Sequence, residues 1–377
     1  MKATRWAVLF LSLLLISPVR AAEPKSALLM DAATGTILYE SGAHEQLAPA
    51  SVTKVMTLLL IMEAIDSGRI RWEDTVTASE AAAAKGGSQV YLKVGETMTV
   101  TDMVKSIAVS SANDCACAMA ELLAGSEAAF VELMNARAAE LGMKDTHFVN
   151  CTGLDDDPAA KDHKTSAHDI AVMSRELLVN HPDIKNFTTI WMDTIRDGAF
   201  GLSNTNKMVR YYTGCTGLKT GFTSAAGYCL SASALRDGME LIAVVLGAET
   251  SQDRFAACKS MLDQGFATYA LYTPVLQQGA SVPVILGQAE SVAAVPEQVP
   301  QLLVEKSKQA GITTEVSLAP EAEAPVEQGQ ALGMLTVRAG EEVLAQVPLV
   351  AETGVARLRW GQVTIRILRR VTMAPET

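Results

Sequence analysis

Apolar and polar positions change rhythm several times along this chain. Residues 26–31 and 36–40 are short strand-like runs joined by Ala32-Ala33-Thr34-Gly35, which predicts a hairpin. Residues 52–65 are apolar nearly all round, with Val55, Met56, Leu58, Leu59, Leu60 and Ile61, so a helix there is expected to be buried on every side. Helical periods return over 101–109, 114–123, 127–141 and 166–179. The rhythm then shortens to strands at 228–234 and 240–246 around the turn Leu235-Arg236-Asp237-Gly238, and a helix over 253–269 follows. Strands at both ends with helices between predict one α+β domain, residues 23–272, whose terminal strands share a sheet.

Beyond Pro274 the chain is richer in proline and has no cysteine. Short β-rich pieces at 282–286, 302–304, 314–318, 334–337 and 343–350 predict a small all-β domain over 275–352. The Glu- and Pro-rich stretch 320–327 is expected to be an exposed loop. In the tail, 353–377, five arginines interleave with Leu358, Trp360, Val363, Ile367, Leu368 and Val371. As a helix the tail is basic and amphipathic and suits a membrane interface, here the outer face of the cytoplasmic membrane. The alternation of Val363-Thr364-Ile365-Arg366-Ile367 equally fits a final strand, and both readings stand.

Composition narrows the class. Of 377 residues, 49% are apolar and 19% charged, as for a packed globular protein. A net charge of −11 argues against a nucleic-acid partner, which calls for a basic surface. Residues 1–22 resemble an export signal: Lys2 and Arg5, an apolar run from Trp6 to Ile16, then Val19-Arg20-Ala21-Ala22. No later apolar run approaches spanning length, so an exported, extracytoplasmic body is expected. Six cysteines, Cys115, Cys117, Cys151, Cys215, Cys229 and Cys258, permit disulfides but form neither a dense framework nor a zinc pattern. Cys115 and Cys117 fit small buried side chains better than nucleophiles.

Three short motifs carry the chemistry, in this order: Ser51-Val52-Thr53-Lys54, Ser111-Ala112-Asn113 and Lys219-Thr220-Gly221. Ser51 should start the buried helix, with Lys54 one turn on, on the same face. A serine needs a base to become a nucleophile, and a lysine serves only if its neutral form is populated. Burial and a second cation, for which Lys219 is available, both favour that form. Ser111 offers a hydroxyl relay and Asn113 an amide for a peptide backbone, although either residue also suits a helix cap. Lys219 and Thr220 suit a carboxylate, and Gly221 allows a close backbone approach. None of His44, His147, His163, His168 and His181 has a triad context, and there is no glycine-framed serine elbow, phosphate loop or paired-histidine metal motif. No cofactor or metal is indicated.

At these residues the chain resembles the D-alanyl-D-alanine carboxypeptidases, low-molecular-mass penicillin-binding proteins with a β-lactamase/transpeptidase-like catalytic domain and a small all-β domain. The likeness rests on Asp31-Ala32-Ala33-Thr34-Gly35, Ala50 to Lys54, Ser111-Ala112-Asn113-Asp114, Gly217-Leu218-Lys219-Thr220-Gly221-Phe222-Thr223 and Ala226-Gly227-Tyr228. It implies that Ser51 is acylated by a peptidoglycan stem peptide ending in D-Ala-D-Ala, that Lys54 is the base and that Ser111 returns the proton to the departing D-alanine. It implies further that Asn113 orients the peptide and that Lys219, Thr220 and Arg254 hold the terminal carboxylate. The N–H groups of Ser51 and Phe222 would form the oxyanion hole, and β-lactam antibiotics would acylate Ser51. Ala112 and Thr216 depart from the family's usual glycine and aspartate. Two other readings compete: a class A-like β-lactamase, with Glu176 as its only superficial water-activating glutamate, and a β-lactam-binding sensor that acylates without turnover.

Overall fold

The computed structural model describes residues 23–274 and 279–372, with side chains to residue 368. The expected export signal lies outside the described residues. The strands β1 (Ser26–Asp31) and β2 (Ile37–Ser41) form the predicted hairpin. Three long strands close the first region: β3 (Cys215–Thr223), β4 (Gly227–Arg236) and β5 (Met239–Ala248). Together they make one antiparallel sheet in the order β2-β1-β5-β4-β3, so the first strand of the chain pairs with the last of the set.

That sheet is covered on both faces, which explains why β1 and β5 read as continuous apolar runs rather than as alternation. Leu28, Met30, Ile242, Val244 and Leu246 point into one core, while Ala27, Leu29, Leu241, Ala243 and Val245 point into another. The first core holds the helices α1 (Lys54–Asp66), α2 (Val100–Ser110), α3 (Asn113–Ala124), α4 (Glu127–Glu140) and α5 (Ala167–Asn180). The helix α6 (Ser251–Thr268) covers the other face through Cys258, Met261, Leu262 and Phe266. As its all-round apolar pattern predicts, α1 is buried along nearly its whole length.

The C-terminal region hangs on the end of α6. The strand β6 (Tyr269–Tyr272) pairs with β9 (Leu302–Glu305), and Lys306 Nζ donates to Phe266 O at 2.7 Å. A six-stranded sheet follows, built from β7 (Ser281–Ile285), β8 (Ser291–Pro296), β10 (Ile312–Leu318), β11 (Ala322–Glu323), β12 (Ala331–Ala339) and β13 (Glu342–Ala351). Its order is β10-β12-β13-β8-β7-β11.

Two expectations change here. The stretch 320–327 is not an exposed loop: β11 pairs in parallel with β7, and Ala324 and Val326 are buried in the small core. Proline and glutamate shortened the strand, but the alternate apolar positions still face inward. The tail is a helix, α7 (Trp360–Thr372), rather than a strand. A helix satisfies its own backbone groups, whereas a strand there would need a sheet edge. Among the described residues, no helix is long and apolar enough to cross a membrane. All six cysteines are free thiols, and five are buried.

Candidate active site

The three motifs converge from three elements. Ser51 lies in a 3-10 turn, Ala50–Thr53, that leads directly into α1, and Lys54 is the first residue of that helix. Lys54 has no solvent exposure. Its Nζ is 2.9 Å from Ser51 Oγ and donates to Thr152 O at 2.8 Å. Burial disfavours the ammonium and lowers the pKa of Lys54 to about 7. That shift corresponds to about 5 kcal/mol against the charged form. A neutral Lys54 is therefore well populated near neutrality, with its lone pair free to accept the Ser51 hydroxyl proton.

Ser111 sits between α2 and α3 with a left-handed backbone, φ 62°. That conformation turns its hydroxyl toward β3, where Lys219 Nζ donates to Ser111 Oγ at 2.8 Å and to Thr220 O at 2.9 Å. The pKa of Lys219 is also well below the usual lysine range, first through burial and then through the charges of Lys54 and Arg254. Of the two causes the sequence offered for a neutral Lys54, burial and the cation Lys219, burial is the one that lowers its pKa, whereas the charge of Lys54 acts on Lys219.

Neither Ser111 nor Asn113 acts as a side-chain helix cap: α3 begins after Ala112 with no capping side chain. Asn113 Nδ2 donates to Gly86 O at 2.7 Å, and Asn113 Oδ1 is buried without a hydrogen-bond partner. A buried, unused acceptor is costly and suits a ligand N–H. Thr220 Oγ1 donates to Thr205 Oγ1 at 2.7 Å.

Gly221 is required by packing. A Cβ there would lie 2.6 Å from Pro49 O and 3.0 Å from Ser51 N, so the backbone that approaches it closely is the Ser51 turn itself. This contact seats β3 beside the nucleophile. Phe222 is half exposed at the rim and its ring lies 4.3 Å from that of Tyr228. Arg254, in the first turn of α6, is buried beneath β3. Its Nη1 donates to Gly221 O at 2.8 Å and to Cys229 O at 3.2 Å, and its Nε has no partner.

Sequence reading missed the loop 149–154. Asn150 Oδ1 accepts from Thr152 N, Thr152 Oγ1 and Gly153 N, and Asn150 Nδ2 donates to Leu154 O. This Asx-type turn delivers the Thr152 carbonyl to Lys54. The Asn-x-x-Gly spacing marks a turn, but a carbonyl has no sequence signature. The Glu176 carboxylate is engaged elsewhere, accepting from Arg137 Nη2 and Asn180 Nδ2. Glu63, Glu176 and His181 hold ligand-type atoms within 4.8 Å of one another. Arg137 bridges both glutamates and Asp66 pairs with His181 Nδ1, so these groups already take part in a network of polar pairs.

A sequence model of the D-alanyl-D-alanine carboxypeptidase family matches residues 16–250, and one of the penicillin-binding protein 5 C-terminal domain matches residues 272–357. The D-alanyl-D-alanine carboxypeptidase DacF of Bacillus subtilis is 42% identical over 339 residues, covering 88% of this chain and 86% of that protein. Among solved structures, penicillin-binding protein 5 of Haemophilus influenzae superposes with a TM-score of 0.75 at 28% identity, covering 91% of this chain and 100% of that one. Penicillin-binding protein D2 of Listeria monocytogenes, solved in its ampicillin-bound form, is 32% identical with a TM-score of 0.59 over 64% of this chain and 97% of that one. The match runs through both the sheet-and-helix body and the β-rich region, and the chain belongs to the D-alanyl-D-alanine carboxypeptidase family of serine peptidases.

Proposed function

We propose that this carboxypeptidase removes the terminal D-alanine of peptidoglycan stem pentapeptides through an acyl-enzyme on Ser51. The observation that carries the reading is a wholly buried Lys54, with its pKa lowered to about 7 so that the neutral form is populated near neutrality, 2.9 Å from Ser51 Oγ. In acylation the Ser51 hydroxyl proton moves to Lys54 Nζ as Oγ bonds to the penultimate D-alanine carbonyl carbon. The N–H groups of Ser51 and Phe222 stabilise the oxyanion. The C–N bond then breaks: Ser111 gives its hydroxyl proton to the departing amine and regains one from the Lys54 ammonium, which returns Lys54 to its neutral form. Water hydrolyses the ester and regenerates Ser51.

Asn113 orients the peptide with its unused Oδ1. Lys219 and Thr220 take the terminal carboxylate, and Arg254 supports them from below through Gly221 O. An arriving carboxylate supplies the counter-charge that buried Lys219 lacks, so substrate binding favours its ammonium. The absence of a free carboxylate at Glu176 supports a carboxypeptidase over a class A-like β-lactamase. A turning-over enzyme is the reading kept over a non-turnover sensor because both hydrogen-bonded pairs of the three motifs, Lys54 with Ser51 and Lys219 with Ser111, are in place.

The reading includes export directed by residues 1–22 and peripheral attachment to the outer face of the cytoplasmic membrane by α7. Trp360 is nearly fully exposed, and Ile365, Ile367 and Leu368 are more than half exposed, on a helix without acidic residues.

The test is a time course of intact-mass spectra after exposure to penicillin, with D-alanine release from a diacyl-D-Ala-D-Ala peptide measured in parallel. A penicilloyl adduct mapped to Ser51 together with D-alanine release is expected. No D-alanine release, or an adduct on another residue, overturns the reading. Rapid loss of the adduct without peptidase activity would favour the lactamase.

A further inference from the structure

None of the five histidines belongs to a triad, yet His163 is buried against the Ser51 turn. Val149 N–H donates to His163 Nδ1 at 3.0 Å, so that nitrogen carries the lone pair and the ring proton sits on Nε2. His163 Nε2 is 2.7 Å from Thr53 Oγ1, and Thr53 Oγ1 donates its one proton to Ala50 O at 2.8 Å. Nε2–H must therefore donate to Thr53 Oγ1. The donors run one way: Val149 N–H, His163, Thr53, Ala50 carbonyl.

The peptide unit that ends this chain also carries Ser51 N–H. The carbonyl and N–H of a trans peptide point in opposite directions, so fixing Ala50 O fixes the aim of Ser51 N–H. Ala50 needs to be held, because its φ of 48° is left-handed and disfavoured for an alanine. Gly153 closes the other side: a Cβ there would lie 1.8 Å from Ala50 O and 2.7 Å from Thr53 Oγ1. The same loop supplies the Thr152 carbonyl that holds Lys54.

We propose that His163 is a positioning residue for acyl transfer: as a neutral ring it ties the 149–154 loop to the Ser51 turn and aims the Ser51 N–H at the oxyanion. The proposal rests on the reading of Ser51 N–H as an oxyanion donor. It also predicts acid sensitivity. Protonation would place an N–H on Nδ1 facing the Val149 N–H. The titratable groups acting on His163 are Lys54 and His147, both cations when protonated, and the Phe148 ring packs at its edge. Burial first, then these two groups, lower its pKa to about 4.

The experiment compares penicillin acylation of the wild type, His163→Ala and His163→Gln. The glutamine amide can replace the Nε2–H donor. Removing an oxyanion donor outright costs about 10²–10³-fold, so misaiming one should slow acylation roughly 10- to 100-fold in His163→Ala, with initial binding affinity unchanged and recovery in His163→Gln. Thr53→Val should reproduce the defect and Thr53→Ser should not, which covers the case of a His163 variant that fails to fold. Imidazole nitrogen NMR of the wild type should show the Nε2–H tautomer at pH 7. Wild-type acylation rates in both His163→Ala and Thr53→Val, or an Nδ1–H tautomer, overturn the proposal. A wild type that forms no adduct on Ser51 instead overturns the functional reading beneath it, and the NMR result then still decides the hydrogen-bond chain.

Discussion

The body carrying the three motifs and the β-rich region behind it are both packed, but they bury different things. The core of the C-terminal region consists of valine, leucine and alanine. Among the described residues, buried polar and charged side chains are found no later than Arg254, and they include Lys54, Lys219, Ser111, Asn113 and Arg254. Burying a charge is expensive unless it is compensated, and burial lowers the pKa of both lysines. Among the described residues, one region thus buries ionisable groups with displaced pKa values, a pattern that marks candidate functional sites, while the core of the other is apolar.

Four measurements would break or sharpen this contrast. The largest effect is expected at the base. Lys54→Arg leaves a permanent cation beside Ser51, and acylation should fall at least ~10³-fold while circular dichroism stays native. Labelling at the normal rate would show that buried polarity in the body is only structural. Next, Leu349→Ala empties a fully buried position in the small core and should cost about 3 kcal/mol there by denaturant titration. The rate of Ser51 acylation should not move. A matching loss of acylation would mean that the two regions are one mechanical unit.

The third concerns acid. His163 has a folded pKa of about 4, below its ordinary 6.5, so the unfolded chain binds the extra proton first. Stability should fall as pH drops from about 6.5 to 4, by about 2–3 kcal/mol, and His163→Gln should flatten that slope. The smallest effect belongs to the tail. Arg366 approaches Glu290 at 3.7 Å on a largely exposed surface, so Glu290→Gln should change melting by less than about 1 kcal/mol. A larger shift would mean that α7 is integral to the small core.

The two regions also differed in legibility. In the body, long periodic segments announced β1, α1 and the closing strands, because burial on both faces leaves continuous apolar runs. The motif order announced residues that the structure brings together, Ser51 with Lys54 and Ser111 with Lys219. Thr152 escaped notice, and His163 was set aside with the other histidines for want of a triad context. One acts through a backbone carbonyl and the other through a single hydrogen-bonded tautomer, and neither constraint shows as spacing. In the β-rich region the exposed loop expected over 320–327 proved partly core, since two buried residues, Ala324 and Val326, are too few to outweigh their charged and proline neighbours. For the tail, the same residues satisfy period 2 and period 3.6, so spacing did not choose between them, and the tail forms the helix, which satisfies its own backbone groups.

The pairing of β1 with β5 has a consequence for biogenesis. Lys54 meets its carbonyl partner 98 positions later, and Ser111 meets Lys219 after 108. The sheet that seats them closes only when β5 joins the first strand of the chain. A chain emerging N-terminus first from the ribosome carries Ser51 early but lacks the strand beside it until β3 has emerged. At synthesis rates of ~5–20 residues per second, that delay is on the order of ten seconds. Until then the nascent chain holds Ser51 without the strand that packs against its turn.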